Sequence, residues 1–234
     1  MLTLKKYQQS CLDQLQDYLR LAGLHDSETA FVLQTKRPYR KVARLPDIPY
    51  VCLRVPTGGG KTLMACHALG IVTREHLHQE RSVCLWLVPS NAIREQTLKA
   101  LRDRRHPYRQ AVDGEFKSVS VMELSDALYV QRGVLEGDTC IIVSTLAALR
   151  VEDTEGRKIY ESDGFLQHHF TGLPAALEAK LIKNDDGTIP YSLANVLRLW
   201  QPIVIMDEAH NARTKLSFEA LERFSPSCIV EFTA

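Results

Sequence analysis

The segment Val55-Pro-Thr-Gly-Gly-Gly-Lys-Thr62 decides how the rest of the sequence is interpreted. It follows the apolar run Tyr50-Val-Cys-Leu-Arg54 and precedes a stretch with helical spacing that begins at Lys61. Consecutive glycines let the backbone curl until several N–H groups face one phosphate, and the N-terminus of the next helix adds partial positive charge. A strand, a glycine-rich turn ending in Lys-Thr and a helix, in that order, indicate a phosphate-binding loop.

Each side chain of this loop has an expected task. We expect Lys61 to reach the β- and γ-phosphates of a nucleotide and the hydroxyl of Thr62 to bind Mg²⁺. The other loop residues that we expect to contact the nucleotide are Thr57, Gly58, Gly59 and Gly60. The general pattern has Gly at its first position, where this chain has Val55. A glycine-rich turn with a chance Lys-Thr pair is the alternative, but strand, loop and helix together favour phosphate binding.

A second motif, Asp207-Glu-Ala-His210, follows the apolar run Pro202–Met206. Open α/β sheets bind their ligands at the carboxyl ends of parallel strands. We therefore expect Asp207 to hold Mg²⁺ and Glu208 to orient or deprotonate the attacking water. Taken alone, the motif is also compatible with an exposed polar turn; beside a phosphate-binding loop, the catalytic interpretation is favoured.

Short apolar runs rich in β-branched residues recur along the chain, and the helical stretches Lys61–Glu75 and Asn91–Asp103 lie between them. The runs are Tyr50–Arg54, Ser82–Val88, Thr139–Val143, Pro202–Met206 and Cys228–Thr233. Their near-continuous apolar character is typical of strands that are buried on both faces, as in a parallel sheet. The pattern predicts an α/β fold with an open, mainly parallel sheet and helices on both faces.

The chain divides into an N-terminal segment and a sheet-forming domain. Residues 1–48 combine helical spacing with a basic, proline-punctuated connector, and we interpret them as an N-terminal helical segment. Residues 49–234 contain every predicted strand. Within them, 151–200 carry a charged run and a polar turn, and we predict an insertion with short helices at 174–182 and 192–200.

Composition limits the functional classes. Lys plus Arg number 29 and Asp plus Glu number 28, which gives a net charge of +1. Overall electrostatics alone therefore do not predict nucleic-acid binding, and any such role must depend on local sites. The six cysteines form no C-x-x-C pair, so we interpret them as reduced thiols of a cytoplasmic protein. No apolar run approaches the length of a membrane span, and we expect no membrane association.

Together these motifs resemble those of superfamily 2 helicases and translocases of the DEAH type. The first RecA-like motor domain of that family carries P-T-G-x-G-K-T, D-E-A-H and a strand ending in S/T-A-T, here Pro56–Thr62, Asp207–His210 and Thr233-Ala234. The chain is most similar to the Res subunit of type III restriction enzymes, through VPTGGGKT (55–62), LVPSNAIREQT (87–97) and LERFSPSCIVEFTA (221–234). The resemblance covers nearly the whole chain and implies a RecA-like P-loop domain that binds ATP and Mg²⁺.

The resemblance extends to the first helix. Leu4-Lys-Lys-Tyr-Gln8 is similar to the family's adenine-recognition motif, with Lys5 in place of Arg. It implies that Tyr7 and Gln8 contact the base, and a side-chain amide matches both the donor and the acceptor on the adenine edge. The alternative for Gln8 is an ordinary polar position on an amphipathic helix.

Further positions match motifs that link nucleotide and nucleic acid. Ser90 and Thr145 match motifs Ia and Ib, which contact the backbone of the tracked strand, although short hydroxyls after a strand are also ordinary helix caps. His210 and Thr233 match residues that couple the ATP site to the strand-binding face. The basic stretch 99–109 is compatible with the flank of a nucleic-acid path and with a solvated helix end.

The resemblance implies a DNA-dependent ATPase motor and several partners. A second RecA-like domain would follow Ala234 and supply arginine fingers, so residues 1–234 alone should bind ATP but hydrolyse it poorly. A nuclease domain and a methyltransferase subunit are the further implied partners. Two alternatives remain: the same motor acting on RNA, and a nucleotide-binding module without turnover of its own.

Overall fold

The computed structural model describes residues 3–42, 44–149, 158–207 and 215–234, and only the backbone of residues 215–217. In this part of the chain, six strands form one sheet whose neighbours all pair in parallel, in the order β1-β6-β5-β2-β4-β3. The strands are β1 (Tyr50–Arg54), β2 (Val83–Val88), β3 (Val119–Glu123), β4 (Thr139–Thr145), β5 (Ile203–Asp207) and β6 (Cys228–Thr233).

Burial along the strands follows their place in the sheet. The four inner strands are buried at every position, whereas the edge strands β1 and β3 are only partly buried. Successive residues of a strand point to opposite faces: Cys84 and Trp86 join one core, while Val83 and Leu85 join the other. The prediction of a parallel sheet covered on both faces is confirmed.

Helices cover both faces. Their bounds are α1 (Lys6–Leu24), α2 (Ser27–Thr35), α3 (Lys61–Glu75), α4 (Asn91–Arg102), α5 (Pro107–Glu115), α6 (Leu124–Ala127), α7 (Arg132–Gly137), α8 (Ala175–Glu178), α9 (Leu193–Trp200) and α10 (Lys215–Glu222), with 3₁₀ turns at Ala147–Leu149 and Gly164–His169. Helices α1 to α5 pack on one face, and α6, α7, α9 and α10 pack on the other. None of the described helices is long and apolar enough to cross a membrane.

The N-terminal helix α1 packs directly on the helix that follows the phosphate loop. Leu12, Leu15 and Leu19 of α1 lie in the same core as Met64 and Leu69 of α3. This stripe is the helical spacing visible in the sequence, and it fixes the first turn of α1 close to the loop. The domain boundary at residue 48 stays a prediction.

Several elements differ from the predictions. Strand β3 was not predicted, because it is only five residues long, is partly buried and pairs only with β4 at the edge of the sheet. Helix α5 was not predicted either; it begins at Pro107, and the His106 side chain accepts a hydrogen bond from the Tyr108 N–H. The predicted helix over 174–182 is wrong in length, since α8 is a single turn.

The described part of the predicted insertion, residues 158–200, is tied together around one buried amide. The Asn195 side chain accepts a hydrogen bond from the N–H of Ile182 and donates to the carbonyls of Ile182 and Pro190. The Ser192 hydroxyl caps α9 through the N–H of Asn195. A fully satisfied buried amide fixes one arrangement, because leaving any of its groups unpaired is unfavourable.

Candidate nucleotide-binding site

The loop 55–62 runs from the end of β1 to the start of α3, at the carboxyl edge of the sheet. Its first residue, Val55, is 2% exposed and donates its N–H to the carbonyl of Thr233 at 2.8 Å. A turn follows, in which the N–H of Gly59 donates to the carbonyl of Pro56 at 2.8 Å. Val55, where the general pattern has Gly, therefore places an apolar side chain in the core, and the turn between Pro56 and Gly59 still forms.

The glycines are required for two different physical reasons. Gly58 and Gly60 have positive φ values of 74° and 80°, a conformation that strains residues with a Cβ. At Gly59 the reason is space, because a Cβ there would lie 2.6 Å from Cγ1 of Val55 and 2.7 Å from the carbonyl oxygen of Pro56. Both reasons apply at Gly60, the N-cap of α3, because a Cβ added there would also lie 2.6 Å from the amide nitrogen of Gln8.

Thr62 and Asp207 come together at the end of the sheet. The Thr62 hydroxyl, in the first turn of α3, donates to Oδ2 of Asp207 at the end of β5, at 2.7 Å. Asp207 is buried. Burial of the Cys66 thiol raises its pKa well above the usual range, and the negative charge of Asp207 raises it further. A hydroxyl and a carboxylate are the hard oxygen ligands that Mg²⁺ prefers.

The residues present fit a nucleotide triphosphate with its Mg²⁺. The backbone of the loop curls through two positive-φ glycines, and Lys61 is the first residue of α3, where the helix N-terminus adds partial positive charge. Lys61 is buried, so its charge acts in a medium of lower dielectric than water. Thr62 directly follows Lys61, so the oxygen pair of Thr62 and Asp207 lies next to these donors and could bind a metal ion held by the phosphates.

The start of α1 clamps the phosphate loop. The carbonyl of Gly59 accepts hydrogen bonds from the Tyr7 hydroxyl and from Nε2 of Gln8, each at 2.8 Å. Oε1 of Gln8 accepts from the Lys5 N–H, also at 2.8 Å. Gln8 is therefore more than an ordinary polar position, since the residue is only 5% exposed and its amide holds the loop.

This geometry leaves adenine recognition open as a prediction. An amide carries two donor hydrogens and two acceptor lone pairs, so Gln8 retains one of each for the base edge while it holds the loop. The sequence motif indicated the base contact but not the contact with the loop, because a bond between positions 8 and 59 has no signal in local spacing.

Ser90 and Thr145 lie at the ends of neighbouring strands and both act as helix caps. The Ser90 hydroxyl accepts from the N–H of Ile93 at 3.4 Å, and the Thr145 hydroxyl accepts from the N–H of Ala148 at 3.2 Å. Ser90 is exposed, whereas Thr145 is buried. Each hydroxyl keeps its own proton to donate, so capping and a contact with a phosphate oxygen are compatible.

The basic stretch 99–109 divides into two groups. Arg109 is buried, pairs with Asp113 at 2.7 Å and donates to the carbonyls of Leu101 and Val119. It connects α4, α5 and β3 and does not face a ligand. Lys99, Arg104 and Arg105 are exposed and remain compatible with the flank of a nucleic-acid path.

The remaining predicted residues concern the acidic motif and the last strand. Glu208 and His210 lie outside the described residues. Thr233 is buried at the end of β6, and its carbonyl receives the Val55 N–H. This places Thr233 in contact with the first residue of the phosphate loop, as a coupling role requires, and that role stays a prediction.

Sequence reasoning did not indicate Tyr108, which lies beside the oxygen pair. It shares with Thr62 the lining of a cavity of about 340 Å³ between α4 and α5. Burial, followed by the charges of Cys66 and Asp207, raises the pKa of the Tyr108 phenol, while the Thr62 hydroxyl lowers it. No sequence signal could have identified it, because α5 itself was not predicted.

Comparison with protein families matches residues 1–234 to the family described as type III restriction enzyme, res subunit. Comparison with curated proteins found no match. The match spans all the motifs discussed above, including the phosphate loop, Asp207 and the last strand. This chain belongs to the res-subunit family of type III restriction enzymes and has its helicase-type ATPase fold.

Proposed function

We propose that this chain is the ATP-binding and ATP-hydrolysing motor domain of a DNA translocase of the res-subunit type. The single observation that carries the proposal is the 2.7 Å hydrogen bond between the Thr62 hydroxyl and the Asp207 carboxylate. It joins the phosphate loop after β1 to the acidic motif after β5, across the intervening strand β6. Two oxygen ligands at the end of a glycine cradle are what Mg-ATP requires.

Each residue has a definite part in this proposal. Bound Mg-ATP supplies a γ-phosphoryl group whose charge the divalent cation partly neutralises. Lys61 provides a buried positive charge at the helix N-terminus for the β- and γ-phosphates, and Thr62 and Asp207 provide oxygen ligands. Glu208 accepts a proton from water or orients it, and His210 belongs to the same catalytic motif.

DNA is the proposed substrate, because the family is described as a restriction enzyme. Ser90 and Thr145 would contact the strand through its backbone, and backbone contacts alone do not separate DNA from RNA. An RNA-dependent motor is therefore the alternative within the same enzyme class. The six cysteines are free thiols, which supports a reducing, cytoplasmic location.

The proposed partners follow from the resemblance to superfamily 2 motors. A second RecA-like domain of the whole protein would supply arginine fingers, which are worth about 10³–10⁵ in rate for related phosphoryl transfers. Residues 1–234 alone should then bind ATP and hydrolyse it poorly. A nuclease domain and a methyltransferase subunit complete the proposed assembly.

The test compares two variants of the whole protein with and without DNA. Lys61→Ala should lower ATPase kcat/KM by about 10²–10³-fold, because it removes a preorganised charge from the phosphates. Glu208→Gln should retain Mg-ATP binding and lose turnover, since the amide is nearly isosteric but a poor base. The matched control for the first is Lys183→Ala, an exposed lysine in the polar turn before α9.

Three outcomes separate the alternatives. Stimulation by RNA and not by DNA would favour the RNA motor. Tight ATP binding without turnover in the whole protein, with either nucleic acid, would favour a binding module. Unchanged turnover in Lys61→Ala would contradict the phosphate-loop assignment itself.

A further inference from the structure

Tyr129 and Phe165 form an exposed aromatic pair that the roles above leave unused. Their ring centroids lie 5.4 Å apart with the planes at 89°, an edge-to-face contact. Tyr129 is 58% exposed and Phe165 is 57% exposed, so each ring presents much of its surface to solvent. Large apolar side chains gathered at one exposed place mark interaction sites more often than single ones do.

The pair stands on a rigid base. The residues next to the two rings, Val130 and Leu166, are buried in the core. A ring nitrogen of the buried His169 lies 2.9 Å from the carbonyl of Val130, and the N–H of Arg132 donates to Nε2 of His168 at 3.0 Å. These contacts join the loop after α6 to the 3₁₀ turn at 164–169, so the rings are held in place before any ligand arrives.

Tyr129 follows the outermost of three neighbouring strands. Strands β2, β4 and β3 are consecutive in the parallel sheet, about 4.8 Å apart, and their carboxyl ends lie at the same edge as the phosphate loop, in the half of the sheet away from β1. Ser90 follows β2, and Thr145 ends β4. From β3, the N–H of Glu123 donates to the Asp126 carboxylate at 3.3 Å, and the N–H of Tyr129 donates to the carbonyl of Asp126 at 3.0 Å.

The charges around the pair are already compensated. Arg102 pairs with Asp126 at 2.7 Å, and Arg132 pairs with Glu136 at 2.7 Å. The surface therefore offers stacking area and little net charge. A pair of rings matches the size of one or two bases, whereas a stable protein interface buries about 800 Å² on each partner.

We propose that Tyr129 and Phe165 form a stacking site for unpaired bases of the nucleic acid that the motor contacts. This inference rests on the proposed function, since Tyr129 follows β3, the neighbour of the strand that ends at Thr145. Base–aromatic stacking tolerates any sequence because every base has a π-face, which suits a motor that moves along arbitrary sequence. The backbone contacts position the strand, and the aromatic pair distinguishes a base from an abasic sugar.

The experiment measures binding of the whole protein to short oligo(dT) and to an abasic oligonucleotide of equal length. Wild type should prefer oligo(dT). Tyr129→Ala/Phe165→Ala should lower affinity for oligo(dT) by about 5- to 150-fold for each stacked base and leave abasic binding unchanged. The slope of log affinity against log salt should not change, because no phosphate contact is removed.

Controls separate stacking from loss of structure. Leu24→Ala removes an apolar side chain that is 77% exposed on the end of α1 and should not affect binding. Tyr129→Phe keeps the ring and should retain oligo(dT) affinity, and thermal unfolding with basal ATPase reports the fold of every variant.

Failure of this inference and failure of the proposed function give different results. If the ATPase of wild type responds to DNA but the double alanine variant keeps the wild-type preference for oligo(dT), the stacking site is wrong. If the double alanine variant keeps full affinity for the oligonucleotide but no longer binds a partner subunit, the stacking site is also wrong. The aromatic pair would then be a surface for protein docking. If neither DNA nor RNA stimulates or binds wild type, the proposed function itself fails.

Discussion

The two halves of the carboxyl edge of this sheet hold their candidate functional side chains in different ways. In the nucleotide half, at the ends of β1, β6 and β5, Lys61 and Asp207 are buried and the loop is bound by α1 and β6. In the strand half, at the ends of β2, β4 and β3, Ser90 and the aromatic pair are exposed, and only Thr145 of these candidates is buried. A bound phosphate requires hydrogen-bond donors that are fixed and shielded from water, whereas a nucleic-acid strand that moves along the protein requires accessible contacts that can form repeatedly.

This contrast predicts that small changes in the nucleotide half have large effects. Gly60→Ala should lower ATP affinity by roughly 10²-fold, because αL strain of about 1–2 kcal/mol adds to overpacking of similar size against Gln8. Isothermal titration of Mg-ATP measures it. Gly133→Ala in α7 is the matched control, since a Cβ there meets nothing within 4 Å. Equal affinity in both variants would show that the loop is as adaptable as the surface.

The rigidity of the nucleotide half should also depend on a charged network beneath it. Glu115 of α5 contacts His67 at 2.8 Å and Arg74 at 2.5 Å, both on α3. Burial raises the pKa of Glu115, but hydrogen bonds from His67 and Arg74 outweigh it, and the pKa is lowered from 4.5. The ionised form is therefore favoured in the folded state, and its stabilisation is present above the unfolded pKa and lost as pH falls through the folded one.

Glu115→Gln should lower the free energy of unfolding by about 1–2 kcal/mol at pH 7, because its charge-assisted hydrogen bonds with His67 and Arg74 are lost. The effect is no larger because Arg74 is partly exposed to solvent. Urea denaturation should show that the difference from wild type shrinks as the pH falls from 4.5 through the lowered pKa of the folded protein, where the wild-type carboxyl also becomes neutral. The exposed Glu161→Gln serves as control. A difference that is constant with pH would remove ionisation of Glu115 from the explanation.

Gln8 tests whether the clamp on the loop also recognises the base. Gln8→Ala should weaken ATP binding and reduce its preference over GTP by about 10-fold, since two neutral hydrogen bonds are worth roughly 1–3 kcal/mol. Parallel titrations with ATP and GTP provide the ratio. Gln9→Ala is the neighbouring control, whose amide bonds to Asp13 at 2.8 Å. If Gln8→Ala weakens both nucleotides equally, the amide only holds Gly59.

The smallest effect is expected in the strand half. Ser90→Ala with Thr145→Ala should reduce DNA-stimulated ATPase by a few-fold and leave basal ATPase nearly unchanged, with a loss of stability of about 1 kcal/mol per cap. Asp26→Ala, which removes the cap of α2, shows the consequence of a lost cap alone. Similar DNA stimulation in both proteins would leave Ser90 and Thr145 as caps only.

Sequence patterns predicted the elements that are locally encoded. The inner strands, α3 and the capped start of α9 matched closely, because continuous apolar runs and cap residues act within a few positions. The phosphate loop and Asp207 could be singled out as a candidate site from the sequence, since the proposed chemistry requires these residue types directly after strands. Strand β3 and α5 were missed because their burial is partial and depends on partners elsewhere in the chain.

Contacts between distant positions were decided only by the tertiary structure. Spacing cannot show that Gln8 reaches Gly59, that Thr62 meets Asp207 or that Arg109 turns inward. The order of strands in the sheet also emerges from packing, and it alone makes β2, β4 and β3 consecutive neighbours. Local sequence determines which segments become strands and helices through short-range sterics and hydrogen bonds, whereas burial of apolar faces against one another determines which ends meet.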